Sequence, residues 1–284
     1  IRYAWSGTPG DPLTWQYNGG AAITIAEPVE AFSLAYTTEA GALKAPPRVL
    51  LVSKDPTAPS QDETARRQAM QSCGFFVQSI ADDVTPAQFA TALQSADVVY
   101  TLPETNKGDF ADKPTNISQG VVVADKDLYV AYGVGDDDSE NDGDTVDVSA
   151  MPHPVTNGFS AGAVKICSSQ QNISFATTLA PGAAQLATTG EASDQVALFA
   201  VDWGGQLTSG AAAAGRRIAG PSGRDSFDYT TLTAEGVRLE RNAILWAAAP
   251  KVVARVTITV QVGADASGRV ASDVQLLNLP EATE

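Results

Sequence analysis

The sequence has few of the residues from which most catalytic and metal sites are built. It contains one histidine and two cysteines, and Cys73 and Cys167 stand too far apart for a C-x-x-C motif. We interpret both cysteines as buried thiols; one disulfide in an oxidising compartment is the alternative. No G-x-C-x-G elbow occurs, so the usual amidotransferase nucleophile is missing. G-x-S-x-G occurs as GFSAG at residues 158–162, in a polar stretch rather than between a predicted strand and a helix. His153, in MPHPV, is interpreted as a loop residue with a structural hydrogen bond.

Positive charge and long apolar runs are also scarce. The 18 basic residues face 33 acidic ones, a net charge of −15 that predicts no nucleic-acid partner, because such binding needs a basic surface. No run of about 18 apolar residues occurs, and residues 1–20 lack the charged-then-apolar order of a signal peptide, so no membrane span is predicted. Since the chain starts at Ile1 inside a strand-like pattern, we expect it to be a fragment with an N-terminal part upstream.

A glycine-rich phosphate loop is missing as well. The first buried strand of the central region is followed by SKDPTAPSQDE, which has no glycine to let backbone amides approach a phosphate. We therefore predict no flavin or dinucleotide. Calcium, considered below, is the one cofactor that the sequence leaves open.

What the sequence does contain begins with a β-rich region. Apolar and polar residues alternate through the first 40 residues, which predicts about four short strands. NGG supplies a hairpin turn between the second and third of them. The predicted strands lie in residues 1–5, 13–17, 23–25 and 32–36.

After the proline-rich joint KAPPR (residues 44–48), strands and helices alternate. RVLLVS, FFVQSI, ADVVYTLPE and GVVVAD read as buried strands. The first helix begins at a capping box formed by Ser60 and Glu63 and ends at Gly74, and the second begins at Thr85. This β-α-β-α-β order with short connections predicts a parallel sheet with right-handed crossovers.

The rest of the central region is less regular. Residues 126–164 form a long polar excursion that we interpret as a surface elaboration. Shorter strands are predicted at VKICSS, AAQLATT, VALFAVD and RRIAGP. A last helix, residues 233–248, is stopped by Pro250.

The C-terminal segment VVARVTITVQVGADASGRVASDVQLLN reads as an antiparallel hairpin. A lone hairpin is marginal in water, so we expect residues 256–262 to pair with strands of the first 40 residues. Because the termini of a domain usually lie close together, one domain can be inserted into another. The sequence thus predicts a discontinuous β domain, residues 1–44 and 251–284, interrupted by an α/β domain, residues 45–250.

The two flanks resemble a known family. IRYAWSGTPGDPLTWQYNGGAAITIAEPVEAFSLAYTTE and ARVTITVQVGADASGRVASDVQLLNLPE are similar to the globular β part of prepilin-like proteins, the pseudopilins of type II secretion and type IV pilus systems. The resemblance implies an anchoring hydrophobic helix upstream of Ile1. It also implies a location at the cell surface, in the periplasm or outside the cell, with other pilin-like subunits as partners.

The central region resembles a second group, the flavodoxin-like or class I glutamine-amidotransferase-like domains without catalytic residues found in large secreted bacterial proteins. RVLLVSKDP, ADVVYTLPETN and RRIAGPSGRDSFDYTTLTAEGVRLERNAILWA carry the likeness. The expected fold class is α/β: a parallel-sheet, flavodoxin-like (Rossmann-like) domain inserted into a small antiparallel β-sheet domain formed by both chain ends.

Two groups of carboxylates are candidate cation sites. Asp55, Glu104 and Asp125 follow the first, third and fourth predicted parallel strands, and ligands of open α/β sheets bind at those ends. In GDDDSENDGDTVD the spacing matches the start of a calcium loop, although its twelfth position is a serine rather than the required glutamate. A solvated acidic loop is the alternative for this stretch. The calcium candidates are Asp138, Glu140, Asp142 and Asp144.

These observations favour a non-enzymatic structural or adhesive subunit of a surface filament or secretion apparatus, which displays its α/β domain to partners. A secreted module that binds glycans or other surface proteins is the alternative, and exposed Trp5, Trp15 and Tyr17 would favour it. A metal-dependent hydrolase is a third hypothesis, and it requires Asp55, Glu104 and Asp125 to converge.

Overall fold

A computed structural model describes residues 2–16, 21–40, 45–136, 139–262 and 269–275. The strands, in chain order, are β1 (Arg2–Ala4), β2 (Leu13–Gln16), β3 (Ile23–Ala26), β4 (Val29–Ala40), β5 (Arg48–Ser53), β6 (Phe76–Ala81), β7 (Val98–Thr101), β8 (Gly120–Val123), β9 (Ser139–Gly143), β10 (Thr145–Val148), β11 (Gly162–Lys165), β12 (Gln171–Phe175), β13 (Ala183–Thr188), β14 (Val196–Val201), β15 (Arg217–Ala219), β16 (Lys251–Val262) and β17 (Arg269–Gln275). The helices are α1 (Gln61–Ser72), α2 (Pro86–Leu93), α3 (Lys107–Phe110) and α4 (Ala234–Ala248).

The chain forms two units, each built from its own contacts. Ile1–Gly41 and Lys251–Glu284 form the first, here called the β unit, and Ala42–Pro250 form the second, the α/β unit. Pro250 directly follows the last turn of α4, as expected for a residue that cannot continue a helix.

The β unit brings the two ends of the chain together. β16 pairs antiparallel with β4, from Lys251 opposite Ala40 to Val262 opposite Val29, and β17 pairs with the outer side of β16. The predicted pairing of residues 256–262 with the first 40 residues is therefore confirmed. Because Ala40 and Lys251 are partners at one end of this ladder, the α/β unit occupies the place of the loop in a β4–β16 hairpin.

The prediction of a small antiparallel sheet from both chain ends is confirmed in part, because the described residues of the β unit form two such sheets. β17, β16 and β4 form the sheet that joins both ends, and β1, β2 and β3 form the other. Pro28 lies between β3 and β4, the last strand of one sheet and the first of the other. Val29 then exchanges backbone hydrogen bonds with Gly10 and Asp11.

A mixed, mostly parallel sheet of nine strands runs through the α/β unit, in the order β11-β10-β13-β14-β15-β8-β7-β5-β6. The five strands from β15 to β6 are parallel, and numbered along the chain their order is 2-1-3-4-5. The other four are antiparallel to their neighbours. The α/β class is thus as predicted, while the antiparallel half was not foreseen.

Apolar layers cover both faces of this sheet. Met70 of α1 and Ile244 of α4 belong to the cluster on one face, and Phe89 of α2 and Phe110 of α3 belong to the cluster on the other. Strand residues such as those of β7 and β8 are buried throughout, as the continuous apolar runs predicted.

The helix boundaries follow their caps. Thr85 and Gln88 complete a reciprocal capping box at α2, and Ser60 accepts a hydrogen bond from the Glu63 amide at α1. The second half of the α1 box does not form, because the Glu63 carboxylate pairs with Arg67 instead. Gly74 follows α1 with φ of +87°, the left-handed conformation predicted for it.

The interpretation of residues 126–164 as a surface elaboration is wrong. The segment provides β10, which joins the nine-stranded sheet, and β9, which pairs with β12. Tyr129, Tyr132, Val134, Val146 and Val155 are all buried. Their apolar side chains are separated by irregular polar stretches, so no single period of two or 3.6 revealed the segment as core.

Candidate functional site

The carboxyl ends of the parallel strands form the candidate functional site of the α/β unit. The chain order reverses between β5 and β7, and in open α/β sheets ligands bind in the crevice at such a point. β5 ends at Ser53, Glu104 follows β7, Asp125 follows β8 and Ser222 follows β15. The predicted carboxylates Glu104 and Asp125 therefore lie at the expected edge, as does Asp55 after β5.

Each of the three predicted carboxylates has different surroundings. Asp55 is exposed, and hydrogen bonds from the Thr57 hydroxyl (2.6 Å) and amide (2.9 Å) lower its pKa. Glu104 is half-buried and accepts a hydrogen bond of 3.1 Å from the Ser60 hydroxyl. Its other oxygen, Oε2, is buried without a partner. Asp125 is only 2% exposed.

No three His, Cys, Asp or Glu side chains in the described part of the chain are grouped so that they could hold a metal ion. Asp55, Glu104 and Asp125 therefore do not converge there, although the hydrolase hypothesis requires that they do. The cause is local: Asp55 is held in its own turn by Thr57, and Asp125 is turned into the protein by its own backbone contacts.

Asp125 is a buried acid at the start of a 3-10 turn. Its Oδ1 accepts a hydrogen bond of 2.9 Å from the Asp127 amide, while Oδ2 is buried and has no partner. Desolvation raises the pKa of this carboxyl to about 8, and the Asp127 hydrogen bond opposes the shift. The Thr101 hydroxyl, two strand positions earlier on the neighbouring β7, is also buried and unpartnered. Burial therefore favours the protonated form of Asp125.

A pair of carboxylates, Glu63 and Glu104, lies near the end of β5. Glu63 is 4% exposed, and burial raises its pKa, whereas the guanidinium of Arg67 at 2.9 Å opposes that shift. Glu104 repels Glu63 and so raises the same pKa. Ser60 connects the pair, because it accepts from the Glu63 amide and donates to Glu104. One carboxylate is thus neutralised by a cation and the other is tied to a helix cap.

Next to this pair lies a buried polar network that the sequence patterns did not reveal. Arg66, fully buried, contacts Asp62 (Nε to Oδ2, 2.6 Å), the Tyr100 hydroxyl (3.0 Å) and the Ser222 carbonyl oxygen (3.0 Å). The Ser222 hydroxyl donates to Glu240 at 2.7 Å. The Arg66–Asp62 spacing of four residues on α1 was a usable signal, but it is typical of surface ion pairs as well.

An aromatic ring completes the network. The Arg66 guanidinium stacks over Tyr229 at 4.6 Å, and the Tyr229 amide donates to Asp62 at 2.7 Å. The network thereby connects α1, β7, the segment after β15 and α4. The cavity beside Ser222 and Glu240 has room for about one water molecule. On this face the carboxyl edge is filled by the protein's own side chains.

The predicted calcium stretch divides between described residues and a gap. Asp138 lies outside the described residues. Glu140 and Asp142 lie on β9, which is extended and paired with β12, rather than in a loop that folds around an ion. Glu140 forms an ion pair with Arg224 (2.6 Å), and Asp144 forms one with Lys165 (2.8 Å) that lowers the Asp144 pKa. Glu140 and Asp144 are therefore engaged with cations of the protein, and Asp142 is held in a paired strand.

Cys73, Cys167 and His153 are the remaining candidate residues. Cys73 and Cys167 are both free thiols, and burial raises the pKa of Cys167 to about 11. His153 accepts a hydrogen bond from the Val155 amide at Nδ1 (3.2 Å) and packs on Trp246, as the interpretation of a structural loop residue predicted. Burial lowers the His153 pKa.

The aromatic residues proposed for a binding face do not distinguish a secreted binding module from a structural subunit. Trp5 is half-buried, whereas the side chain of Trp15 and all of Tyr17 lie outside the described residues. Ile23 and Ile25, in the third predicted strand, are 54% and 50% exposed.

No helix in the described ranges combines the length and apolar character required to cross a bilayer. No family model matches the sequence, and no curated protein matches it either. The functional argument therefore depends on the fold and on the chemistry of these residues.

Proposed function

We propose that the protein is a non-enzymatic structural or adhesive subunit of a cell-surface filament or secretion apparatus, in which a pseudopilin-like β unit carries the α/β unit as a displayed domain. One observation carries the proposal. The α/β unit replaces the loop of the β4–β16 hairpin, with Ala40 and Lys251 as the partners that flank it. An insertion at a hairpin loop leaves the carrier's strand pairing intact, which is the arrangement that a display role requires.

The two family resemblances support the finer parts of this proposal. The strand order 2-1-3-4-5 is that of flavodoxin-like folds, so the α/β unit is proposed to be flavodoxin-like or amidotransferase-like. The flanking segments that resemble pseudopilins are those that contain β1 to β4, β16 and β17. Their proposed partners are other pilin-like subunits, together with surface proteins or glycans that contact the displayed unit.

The carboxyl edge is consistent with display rather than with chemistry on a substrate. Arg66, Tyr100, Ser222 and Glu240 are hydrogen-bonded to one another. Asp125 is nearly inaccessible, at 2% exposure, and burial raises its pKa. A displayed domain needs a rigid interior, and a connected network between α1 and α4 provides one.

The test locates the full gene product in its native cell. Antibodies against the α/β unit are used for immunogold labelling and for blots of filaments sheared from the surface. We expect label on surface filaments or on a secretion complex. A variant in which residues 42–250 are replaced by an Asn-Gly turn should still assemble, as detected with antibodies against the β unit.

Two results would count against the proposal. Protein found free in the medium, with no filament-associated fraction, would favour the secreted binding module instead. Release of a product from ester, phosphate or glycoside substrates by the purified chain, abolished by Asp125→Asn or Glu104→Gln, would favour the hydrolase hypothesis.

A further inference from the structure

Strand β6 is one edge of the nine-stranded sheet, and within the described ranges no strand pairs with its outer side. The direction of its backbone groups follows from two hydrogen bonds to the β5 side. The Phe76 amide donates to Pro47 (3.0 Å), and the Asp82 amide donates to Ser53 (2.8 Å). Because successive residues of a strand point their backbone groups to opposite edges, Val77, Ser79 and Ala81 point theirs outward. This edge therefore presents a row of unpaired donors and acceptors.

The edge lacks the features by which proteins usually prevent strand addition. Residues 76–81 contain no charged residue and no proline, whereas β11 at the opposite edge carries Lys165. Phe76 is 63% exposed, the highest exposure among the large apolar side chains in the described part of the chain. An uncharged edge with a projecting aromatic ring is typical of a surface that accepts another strand.

A groove adjoins this edge at the amino ends of β5 and β6. Its volume is about 450 Å³, and Gln71, Phe75, Phe76, Gln78 and Ser95 are among its lining residues. Arg48 is the one charged residue that lines it. The Arg48 side chain is exposed and forms no ion pair within the described ranges. The Asp97 carboxylate accepts a hydrogen bond from the Arg48 backbone amide (2.8 Å), and the Arg48 guanidinium is the cation that lines the groove.

We propose that β6 is a docking edge for an extended segment of a partner protein, which adds to the sheet as a further strand. An apolar side chain of that segment packs on Phe76, and an acidic side chain pairs with Arg48. Main-chain hydrogen bonds to the outward groups of Val77 and Ser79 provide the affinity, and the two side-chain contacts provide the specificity. The inference rests on the proposed display role, because it names the surface through which the displayed unit contacts its partner.

The experiment selects random heptapeptides displayed on phage against the whole chain. We expect the selected peptides to combine Asp or Glu with apolar residues at alternating positions. Synthetic copies of the selected peptides are then titrated with the unsubstituted chain and with the variants Val77→Pro, Phe76→Ala and Arg48→Gln. Fluorescence anisotropy measures the affinity of each peptide for each protein. Val77→Pro removes an outward donor without removing a bond to β5, so its dissociation constant should rise about tenfold or more. Met151→Ala, which truncates a side chain that is 44% exposed elsewhere, should leave the affinity unchanged.

The controls separate loss of binding from loss of fold. Circular dichroism checks each variant, and Arg48→Gln changes one exposed side chain, so it tests the site even if Val77→Pro unfolds. Absence of enriched peptides would overturn the proposal. Peptides that bind Arg48→Gln and Phe76→Ala as tightly as they bind the unsubstituted chain would also overturn it. A concentration-dependent dimer of the chain that is lost in Phe76→Ala would assign the edge to a second copy and would also overturn it. Surface labelling of the native cell is unaffected by these variants, so it reports separately on the display role.

Discussion

The two units differ in sheet architecture. The α/β unit contains a mixed sheet of nine strands, with apolar clusters on both faces and a fully buried arginine that connects two helices to the strands. The described residues of the β unit form two antiparallel sheets of three strands, and the long β4–β16 ladder joins the two ends of the chain. The inserted unit is thus built from segments that follow one another in sequence, whereas its carrier depends on pairing between segments about 200 residues apart.

The largest effect is expected from breaking the buried network. Arg66→Ala leaves the half-buried Asp62 and the buried Glu240 and Tyr100 hydroxyl without their cation, and this should lower the free energy of unfolding of the α/β unit by about 3–5 kcal/mol. Urea denaturation followed by tryptophan fluorescence measures the loss. Lys165→Ala removes a side chain that is 57% exposed and should cost less than about 1 kcal/mol. Equal losses for both variants would show that the network contributes nothing beyond a surface pair.

Leu13→Ala makes the equivalent test in the β unit. The side chain is 1% exposed, so its truncation should cost about 2–4 kcal/mol in that unit. Hydrogen exchange should become faster in residues 2–16 and 21–40, with no change in β7 or β8. Ile25→Ala, at a side chain that is 50% exposed, is the matched control and should have little effect. Faster exchange throughout both units would contradict the division between them.

Asp125→Asn should stabilise the α/β unit, with a gain that depends on pH. The folded-state pKa of about 8 lies above the value near 4 of an unfolded aspartate, so the native state binds the additional proton. The free energy of unfolding of the wild type therefore falls as the pH rises from about 4 to about 8. The neutral amide removes this loss, so the gain should be smallest at pH 5 and should grow steadily up to about pH 8.

Thermal unfolding at pH 5, 6.5 and 8 measures this trend. Asp55→Asn is the control, and it should lower the free energy of unfolding rather than raise it. Hydrogen bonds from Thr57 lower the Asp55 pKa and stabilise its charged form, which the amide lacks. A gain from Asp125→Asn that does not change with pH would show that the carboxyl is already charged in the folded protein.

The smallest effect is expected at the helix caps. Thr85→Ala removes the hydrogen bond that the Thr85 hydroxyl accepts from the Gln88 amide at α2, while the backbone amide of residue 85 keeps its bond to the Gln88 side chain, and it should cost about 1 kcal/mol. Ser60→Ala removes a cap that also donates to Glu104, so it should cost at least as much. Urea denaturation of the two variants in parallel makes the comparison, and a clearly larger loss in Thr85→Ala would contradict the role of Ser60 at the site.

Much of the α/β fold was predictable, because its parallel strands are continuous apolar runs and its helices begin with explicit caps. The strand order was not, since order depends on contacts distant in sequence. The segment that contains Tyr129 and Tyr132 was misassigned because its buried residues follow no regular period. In the β unit the β4–β16 pairing was predictable from alternation, whereas the division into two sheets depends on which strands pair, and alternation within each strand does not reveal that.

At the site the sequence located the right edge but not the right chemistry. The positions of Glu104 and Asp125 after their strands could be predicted from topology. Whether carboxylates converge is decided by side-chain direction, and here hydrogen bonds from Thr57 and from the Asp127 amide turn Asp55 and Asp125 to separate partners. The Arg66 network combines residues 62, 66, 100, 222, 229 and 240, and no local pattern connects positions so far apart.

The most direct test of the central claim removes the inserted unit. A chain in which residues 42–250 are replaced by an Asn-Gly turn is studied by NMR for contacts between the α-protons of β4 and β16. We expect cross-strand contacts between the pairs Ala31–Gln261 and Ser33–Thr259, as in the intact chain. Random-coil chemical shifts, or a β16–β17 hairpin without β4, would contradict the claim that the two chain ends form one unit around an insertion.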